Sequence, residues 1–169
     1  MNLGFLTIVQ QHTGYSGGYL VTNLWGRPLE FRLSSTVEPG RVHEILYGVT
    51  LQPYICADLI GKALLEKATT PVQLLLTDHD LTLDIRHRAS VPVLLVQQDG
   101  SKPLSPESLI RPVQDGTPAL LRHRRYPDDE PAIRVLLEKL DPSFDLLEPF
   151  RRIRDAITEI GGFSATRAA

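Results

Sequence analysis

The sequence predicts an α+β fold in which a mixed, mainly antiparallel sheet packs on one helical layer, and three observations indicate it. Short segments in which apolar and polar residues alternate are typical of half-buried strands. They lie on both sides of a middle segment whose apolar residues recur at helical spacing. After Gly100 the sequence becomes rich in proline. We therefore expect three strands, a helical segment and three strands (a β3-α-β3 order), followed by a C-terminal arm.

The first three strands are predicted from residues 3–9, which are apolar and β-branched, and from a hairpin over residues 18–35. Asn23 and Gly26 tolerate the positive φ angles that a tight turn requires. Residues 29–33 then alternate between apolar and polar, as a strand with one buried face requires. This segment is the clearest hairpin in the sequence.

The middle segment changes to helical spacing from Arg41 onward. Proline lacks an amide donor and is best tolerated in the first turn of a helix, so Pro53 predicts a helix start close by. We expect a short helix over 40–49 and a longer one over 51–67, with one kinked helix as the alternative. The apolar stripe of the short helix consists of Val42, Ile45, Leu46 and Val49.

Three more strands are expected before the arm. Residues 72–78 and 81–87 are apolar-rich segments on either side of His79 and Asp80, which predicts a second hairpin. Residues 91–98 form a further strand, because they are apolar and lead into a turn signal at Asp99 and Gly100.

The C-terminal arm begins where prolines accumulate, with six of them between residues 103 and 131. A structureless stretch of that length is usually a linker or a wrapping arm. Two amphipathic segments follow, and the glycine pair at 161–162 predicts the end of the second. The predicted division is a core over 1–99, a Pro-rich linker or arm over 100–130, C-terminal amphipathic helices over 131–162 and a disordered tail over 163–169.

The composition limits the classes of partner. A formal net charge of −2 and a pI of about 6.2 provide no overall attraction to nucleic acid or to anionic membranes. The single cysteine excludes an internal disulfide and suits a reducing compartment. No apolar run reaches the roughly 20 residues that a membrane-spanning helix needs. We therefore expect a cytoplasmic chain with no cofactor and no membrane insertion, and a protein partner or a homo-oligomer rather than nucleic acid.

Acidic and imidazole side chains are densest around the predicted second hairpin. Carboxylates and imidazoles can bind a divalent metal, and a bound metal can activate water for hydrolysis. The alternative is that Asp78 and Asp80 simply stabilise a turn, and that alternation directs Asp84 to solvent; we favour this alternative. The candidate metal ligands are Asp78, His79, Asp84 and His87.

Cys56 and His43 form the one possible thiol and imidazole pair near the predicted helices. Nucleophilic cysteine catalysis requires the imidazole within hydrogen-bond reach of the thiol. Because Cys56 lies beside Ile55 in an apolar stripe, a buried and inert thiol is the preferred interpretation.

A local basic segment, Arg122–Arg125, is followed by Tyr126 and could bind phosphate or an acidic partner. The acidic residues at 128–130 cancel much of its field, which argues against nucleic acid. Trp25 is predicted at the tip of the first hairpin, where an exposed tryptophan would be a candidate for an interface. The alternative is that its side chain folds back onto the core.

The function that the sequence favours is a non-catalytic protein–protein interaction, regulatory or scaffold module. The apolar faces of the arm need a surface that covers them, on the core of the same chain, on a second copy or on a partner. The alternative is a small metal-dependent hydrolase that uses the Asp/His cluster. Candidate interface residues are Trp25, Tyr126, Phe144, Leu147, Phe150, Ile153 and Ile157.

Overall fold

In the part of the chain that the structure describes, seven strands form one mixed sheet, in the order β3-β2-β1-β4-β5-β7-β6. The structure is a computed structural model that describes residues 1–11, 14–98, 106–111 and 117–167, with the side chains of 106 and 161–167 excepted. Strand β1 pairs in parallel with β4, and β4 pairs in parallel with β5, while the other neighbours are antiparallel. The strands are β1 (Asn2–Gln10), β2 (Tyr15–Asn23), β3 (Pro28–Leu33), β4 (Leu74–Thr77), β5 (Val93–Gln97), β6 (Leu109–Arg111) and β7 (Ala119–Arg122).

The helices cover both faces of this sheet, so the prediction of one helical layer is wrong. Successive residues of a strand point to opposite faces. Leu6 of β1 packs with Ile60 of the middle helices on one face, whereas Phe5 packs with Phe150 of the last helix on the other. The α-helices are α1 (Arg41–Tyr47), α2 (Leu51–Pro53), α3 (Lys62–Lys67), α4 (Glu130–Leu137) and α5 (Glu148–Arg167), and a π-helix over Tyr54–Gly61 joins α2 to α3.

The adjacent glycines of β2 allow both helical layers to approach the sheet closely. A Cβ atom on Gly17 would collide with Ile60, and one on Gly18 would collide with Ile153 of α5. Because Gly17 and Gly18 face opposite sides of β2, helices from both sides pack closely on the sheet at this point.

The α+β class is confirmed, but the predicted β3-α-β3 order and Pro-rich arm are not. Residues 81–87, predicted as a strand, belong to a 3₁₀ helix over Asp80–His87 that connects β4 to β5. The segment predicted as a linker over 100–130 contributes β6 and β7 to the sheet. The turn signal at 99–100 and parts of that segment, 101–105 and 112–116, lie outside the described residues.

Two helices differ from their predicted form. The apolar stripe of α1 is exposed rather than packed on the sheet, with Val49, just beyond its end, 95% exposed. Helix α5 continues past the predicted end at 161–162 to Arg167, and residues 168–169 lie outside the described part of the chain. None of the described helices is both long and apolar enough to cross a membrane.

Candidate functional site

The carboxyl ends of the parallel strands β1, β4 and β5 meet at one edge of the sheet, which we call the carboxyl edge. In open α/β sheets, ligands bind outside the carboxyl ends of such strands. A cavity of about 310 Å³ opens there between the end of β4, the end of β5 and helix α5. Its polar lining is Asp78, His79, Asp80, Gln97, Gln98, Arg151 and Arg154.

At this edge, hydrogen bonds hold the carboxylate of Asp78 in place. The register of β1 and β4 places Leu6 opposite Thr77, so the next residues along each strand, Thr7 and Asp78, are neighbours. The buried Thr7 hydroxyl donates a hydrogen bond of 2.6 Å to Asp78 Oδ1. Asp78 Oδ2 accepts a hydrogen bond from the guanidinium of Arg154. Both oxygens of the carboxylate therefore have partners.

Two arginines of α5 bring positive charge to the cavity. The Asp78 side chain is only 8% exposed, whereas the Arg154 side chain that pairs with it is 46% exposed. Arg151 lies one turn earlier on the same side of α5 and forms an exposed ion pair with Asp145. The Arg154 guanidinium pairs with the Asp78 carboxylate, and the two arginines give the carboxyl edge donors for an anion such as a phosphate.

The four predicted metal ligands separate into two places. Asp78 and His79 line the carboxyl edge, while Asp84 and His87 lie further along the 3₁₀ helix towards the start of β5. His123, at the end of β7, joins the second pair, because β7 runs antiparallel to β5 with Arg122 opposite Leu94. Asp84, His87 and His123 offer ligand atoms that lie within 4.8 Å of one another. We call them the His/Asp cluster.

Hydrogen bonds hold the His/Asp cluster in place. Asp84 Oδ1 lies 3.0 Å from His123 Nε2, and His87 Nδ1 lies 2.9 Å from the Tyr126 hydroxyl. The backbone amide of Arg125 donates to His123 Nδ1 at 3.2 Å, so the ring proton of neutral His123 belongs on Nε2, facing Asp84. The rings of His87 and His123 pack edge to face with their centroids 4.8 Å apart.

The surroundings of His87 lower the pKa of its imidazole and so favour the neutral form. Partial burial is the largest cause that lowers the pKa of His87, and the nearby His123, Arg125 and Arg88 lower it further. Asp84 acts in the opposite direction without reversing the shift. A neutral imidazole can accept a hydrogen bond or bind a metal.

Cys56 and His43 do not form a reactive pair. Cys56 is completely buried in the core, and burial raises the pKa of its thiol to about 11. His43 lies on the exposed helix α1, and no hydrogen bond joins the two side chains in the described part of the chain. A buried, protonated thiol is a poor nucleophile.

The predicted interface residues lie in three different environments. Phe150, Ile153 and Ile157 are core residues beneath the chain's own sheet, and Phe144 and Leu147 are half-buried beside them. Tyr126 belongs to the surroundings of the His/Asp cluster, where the Arg86 guanidinium lies 4.2 Å from its ring centroid. Trp25 is 84% exposed. Of these residues, Trp25 alone offers a large apolar side chain to solvent.

Sequence reasoning did not place Arg154 beside Asp78, or His123 beside Asp84. Arg154 is separated from Asp78 by 76 positions, and no local pattern connects them. His123 was part of the predicted basic segment, whose other members have different partners. Arg122 pairs with Glu130, and Arg124 and Arg125 are exposed.

The comparison with known proteins rests on structure, because no protein-family model and no curated protein matches the sequence. The fold is similar to that of endonuclease V from Bacillus subtilis, with a TM-score of 0.58 and 12% identity over 98% of this chain and 83% of that chain. Marinitoga piezophila Argonaute in complex with 5′ OH guide RNA is 9% identical over 72% of this chain and 22% of that chain, with a TM-score of 0.36. That score is too low to indicate a shared fold.

The similarity to endonuclease V contradicts two of the sequence-based predictions. The predicted non-catalytic interaction, regulatory or scaffold module is contradicted, because the fold is similar to that of an endonuclease. The expectation of a protein partner or homo-oligomer in preference to nucleic acid is wrong for the same reason. Net charge misled the prediction, since charge summed over the chain does not describe the charge at one edge of the sheet.

Proposed function

We propose that the protein binds a nucleic-acid strand at the carboxyl edge and hydrolyses its phosphodiester backbone. The observation that carries this proposal is the pair formed by Asp78 and Arg154 in an open cavity at the carboxyl ends of the parallel strands. The fold shared with an endonuclease supports the same class of substrate, by analogy of architecture.

Arg151 and Arg154 would bind the phosphate groups of the nucleic-acid strand. Guanidinium groups bind phosphate through paired, charge-assisted hydrogen bonds. Arg151 and Arg154 project from successive turns of α5 into one cavity, so neighbouring phosphates, or two oxygens of one phosphate, can reach both. Their present partners are the carboxylates of Asp145 and Asp78. An incoming phosphate competes with those carboxylates for the same donors.

Binding of a phosphate by Arg154 would free Asp78 to act as the general base in hydrolysis. Once Arg154 turns to a phosphate, Asp78 Oδ2 becomes available, while the Thr7 hydroxyl continues to hold Oδ1. A carboxylate in that position can accept a proton from a water molecule that attacks phosphorus, and the arginines stabilise the negative charge that develops on the phosphate oxygens. His79 lines the same cavity and is the candidate donor of a proton to the leaving oxygen.

A cleavage assay with labelled oligonucleotides tests the proposal. Single- and double-stranded DNA and RNA are incubated with the wild-type chain and with Asp78→Asn, each with Mg²⁺ and with a chelator. We expect cleavage by the wild-type chain that falls by at least about 100-fold in Asp78→Asn, within the range that a general base contributes. Equal cleavage by the two proteins, or none by either, would contradict the proposed hydrolysis.

A further inference from the structure

We propose that Asp84, His87 and His123 form a binding site for a transition-metal dication of the Zn²⁺ class, at the opposite edge of the sheet from the Asp78 cavity. The three side chains offer two imidazole nitrogens and one carboxylate oxygen within 4.8 Å of one another. This is the ligand type and number of zinc sites that keep one position open for water. The proposal is independent of the proposed function, because it involves none of the same residues.

Local structure explains why the three ligands converge. Residues three apart lie directly above one another on a 3₁₀ helix, so Asp84 and His87 lie on the same side of it. The buried residues Thr82 and Ile85 lie on another side of this helix, and Ile85 packs into the core formed by the sheet and the middle helices. His123 reaches the pair from β7, because the antiparallel pairing of β7 with β5 ends beside the 3₁₀ helix.

Metal binding requires one rearrangement in the cluster. The His87 side chain is exposed, so its ring can turn towards a metal. His123 Nε2 carries the proton that faces Asp84. A metal at Nε2 requires that proton to move to Nδ1 and the long hydrogen bond from the Arg125 amide to break. Asp84 then provides its oxygen to the metal in place of accepting from His123.

A cleft beside the cluster leaves room for a water molecule or a small ligand on the metal. It has a volume of about 330 Å³ and includes Asp84 and His87 in its lining. Tyr47, Tyr54 and Asp58 form the opposite wall. Arg88, which also lines the cleft, is paired with Asp58 at 3.1 Å, and this carboxylate offsets part of its positive charge. Hard cations such as Mg²⁺ fit less well, because they prefer oxygen ligands.

The alternative is that the cluster only ties the 3₁₀ helix to the end of β7 through the Asp84–His123 hydrogen bond. Two variants distinguish a metal site from a purely structural hydrogen bond, and neither changes the buried His123. Asp84→Asn retains an oxygen that can accept from His123 Nε2 but loses the negative charge that a dication needs. His87→Gln removes an exposed ligand that the hydrogen bond between Asp84 and His123 does not use. His43→Gln, an exposed histidine on α1, is the matched control.

The experiment is calorimetric titration of Zn²⁺ into the 169-residue chain after dialysis against a chelator. We expect one Zn²⁺ per chain, with affinity unchanged in His43→Gln and at least about tenfold weaker in Asp84→Asn and in His87→Gln. Circular dichroism checks that each variant is folded. No stoichiometric binding by the wild-type chain, or equal affinity in the wild type and both cluster variants, would overturn the proposal and leave the hydrogen-bonded tie as the role of the cluster.

Discussion

The hydroxyl of Thr7 donates a 2.6 Å hydrogen bond to Asp78 Oδ1, joining the middle of β1 to the residue that follows β4. Thr7 is completely buried, and the Asp78 side chain is nearly so. The bond therefore fixes one oxygen of the carboxylate and leaves the other to Arg154. The proposed mechanism depends on these different partners, because Thr7 holds Oδ1 while Oδ2 becomes available when Arg154 moves away.

Replacement of Thr7 by valine should destabilise the fold, because it keeps the shape of the side chain and removes the hydrogen bond. The nearly buried Asp78 would lose one of its donors, which costs about 1–3 kcal/mol in the free energy of unfolding. Urea unfolding measures the change. Thr158→Val, at an exposed position of α5, is the control and should change stability by less than about 0.5 kcal/mol. Equal effects of the two substitutions would show that Thr7 does not support Asp78.

Asp78→Asn should separate binding from cleavage. The substitution removes the charge that competes with phosphate for Arg154, so affinity for an oligonucleotide should be unchanged or higher while cleavage is lost. Fluorescence anisotropy and a cleavage assay on the same oligonucleotide give the two quantities. Asp128→Asn, at an exposed acidic position, should alter neither. Parallel loss of binding and cleavage in a folded Asp78→Asn protein would argue against competition between Asp78 and phosphate.

Gly18→Ala should destabilise the chain by about 1–3 kcal/mol, because the new methyl group would overpack the contact between β2 and α5. The atom in its way is a methyl carbon of Ile153. In a protein that already carries Ile153→Ala, the same change should cost less, since that carbon is absent. A double-mutant cycle by urea unfolding measures the difference. Strict additivity would mean that the two residues are not in contact.

Glu30 predicts an acid-sensitive contribution to stability. Partial burial of Glu30 raises the pKa of its carboxyl, but hydrogen bonds from Thr70, Arg32 and Thr69 outweigh burial and lower the pKa from 4.5 to about 2. The folded state therefore binds fewer protons than the unfolded state between these values. The stabilisation is complete above about pH 4.5 and is lost as the pH falls towards 2.

Comparison of the wild type with Glu30→Gln tests this pH dependence. The wild type should be the more stable protein at pH 7, and the difference in the free energy of unfolding should shrink as the pH falls below about 4.5. Urea unfolding at pH 7 and at pH 3 measures it. A difference that stays constant over this range would mean that the Glu30 carboxyl has an ordinary pKa.

Local patterns predicted the first half of the fold well and the second half poorly. Alternation correctly located β3, and Pro53 correctly indicated a helix start near 51, because these signals depend on adjacent residues. Over residues 81–87 the apolar positions fit a strand, yet the buried residues Thr82 and Ile85 are three apart, as a 3₁₀ helix requires. In a segment of seven residues, the spacing of apolar residues cannot distinguish the two-residue period of a strand from the three-residue period of a 3₁₀ helix.

Strands β6 and β7 gave no comparable signal. They contain three and four residues, and they gain their stability from pairing with each other and with β5 rather than from their own composition. Prolines around them are typical of a linker. The sequence therefore predicted an arm from its proline content. The pairing of β6 and β7 with a distant strand leaves no pattern in such short segments.

The candidate sites were predictable where their residues follow a strand in the sequence. Asp78 and His79 come directly after β4 and were identified as ligand-type residues. Arg154 could not be connected to them, because its position depends on where α5 packs across the sheet. His123 joined Asp84 and His87 through the pairing of β7 with β5, which the sequence did not predict.

The most direct test of the proposed function is oligonucleotide affinity as a function of salt for Arg154→Gln and Arg134→Gln. Arg154 lies in the Asp78 cavity, whereas Arg134 is a comparably exposed arginine of α4 that pairs with Glu130, near the end of β7. We predict that Arg154→Gln weakens binding and lowers the slope of log affinity against log salt by about 1, while Arg134→Gln matches the wild type. Equal slopes and affinities for all three proteins would contradict the claim that nucleic acid binds at the carboxyl edge.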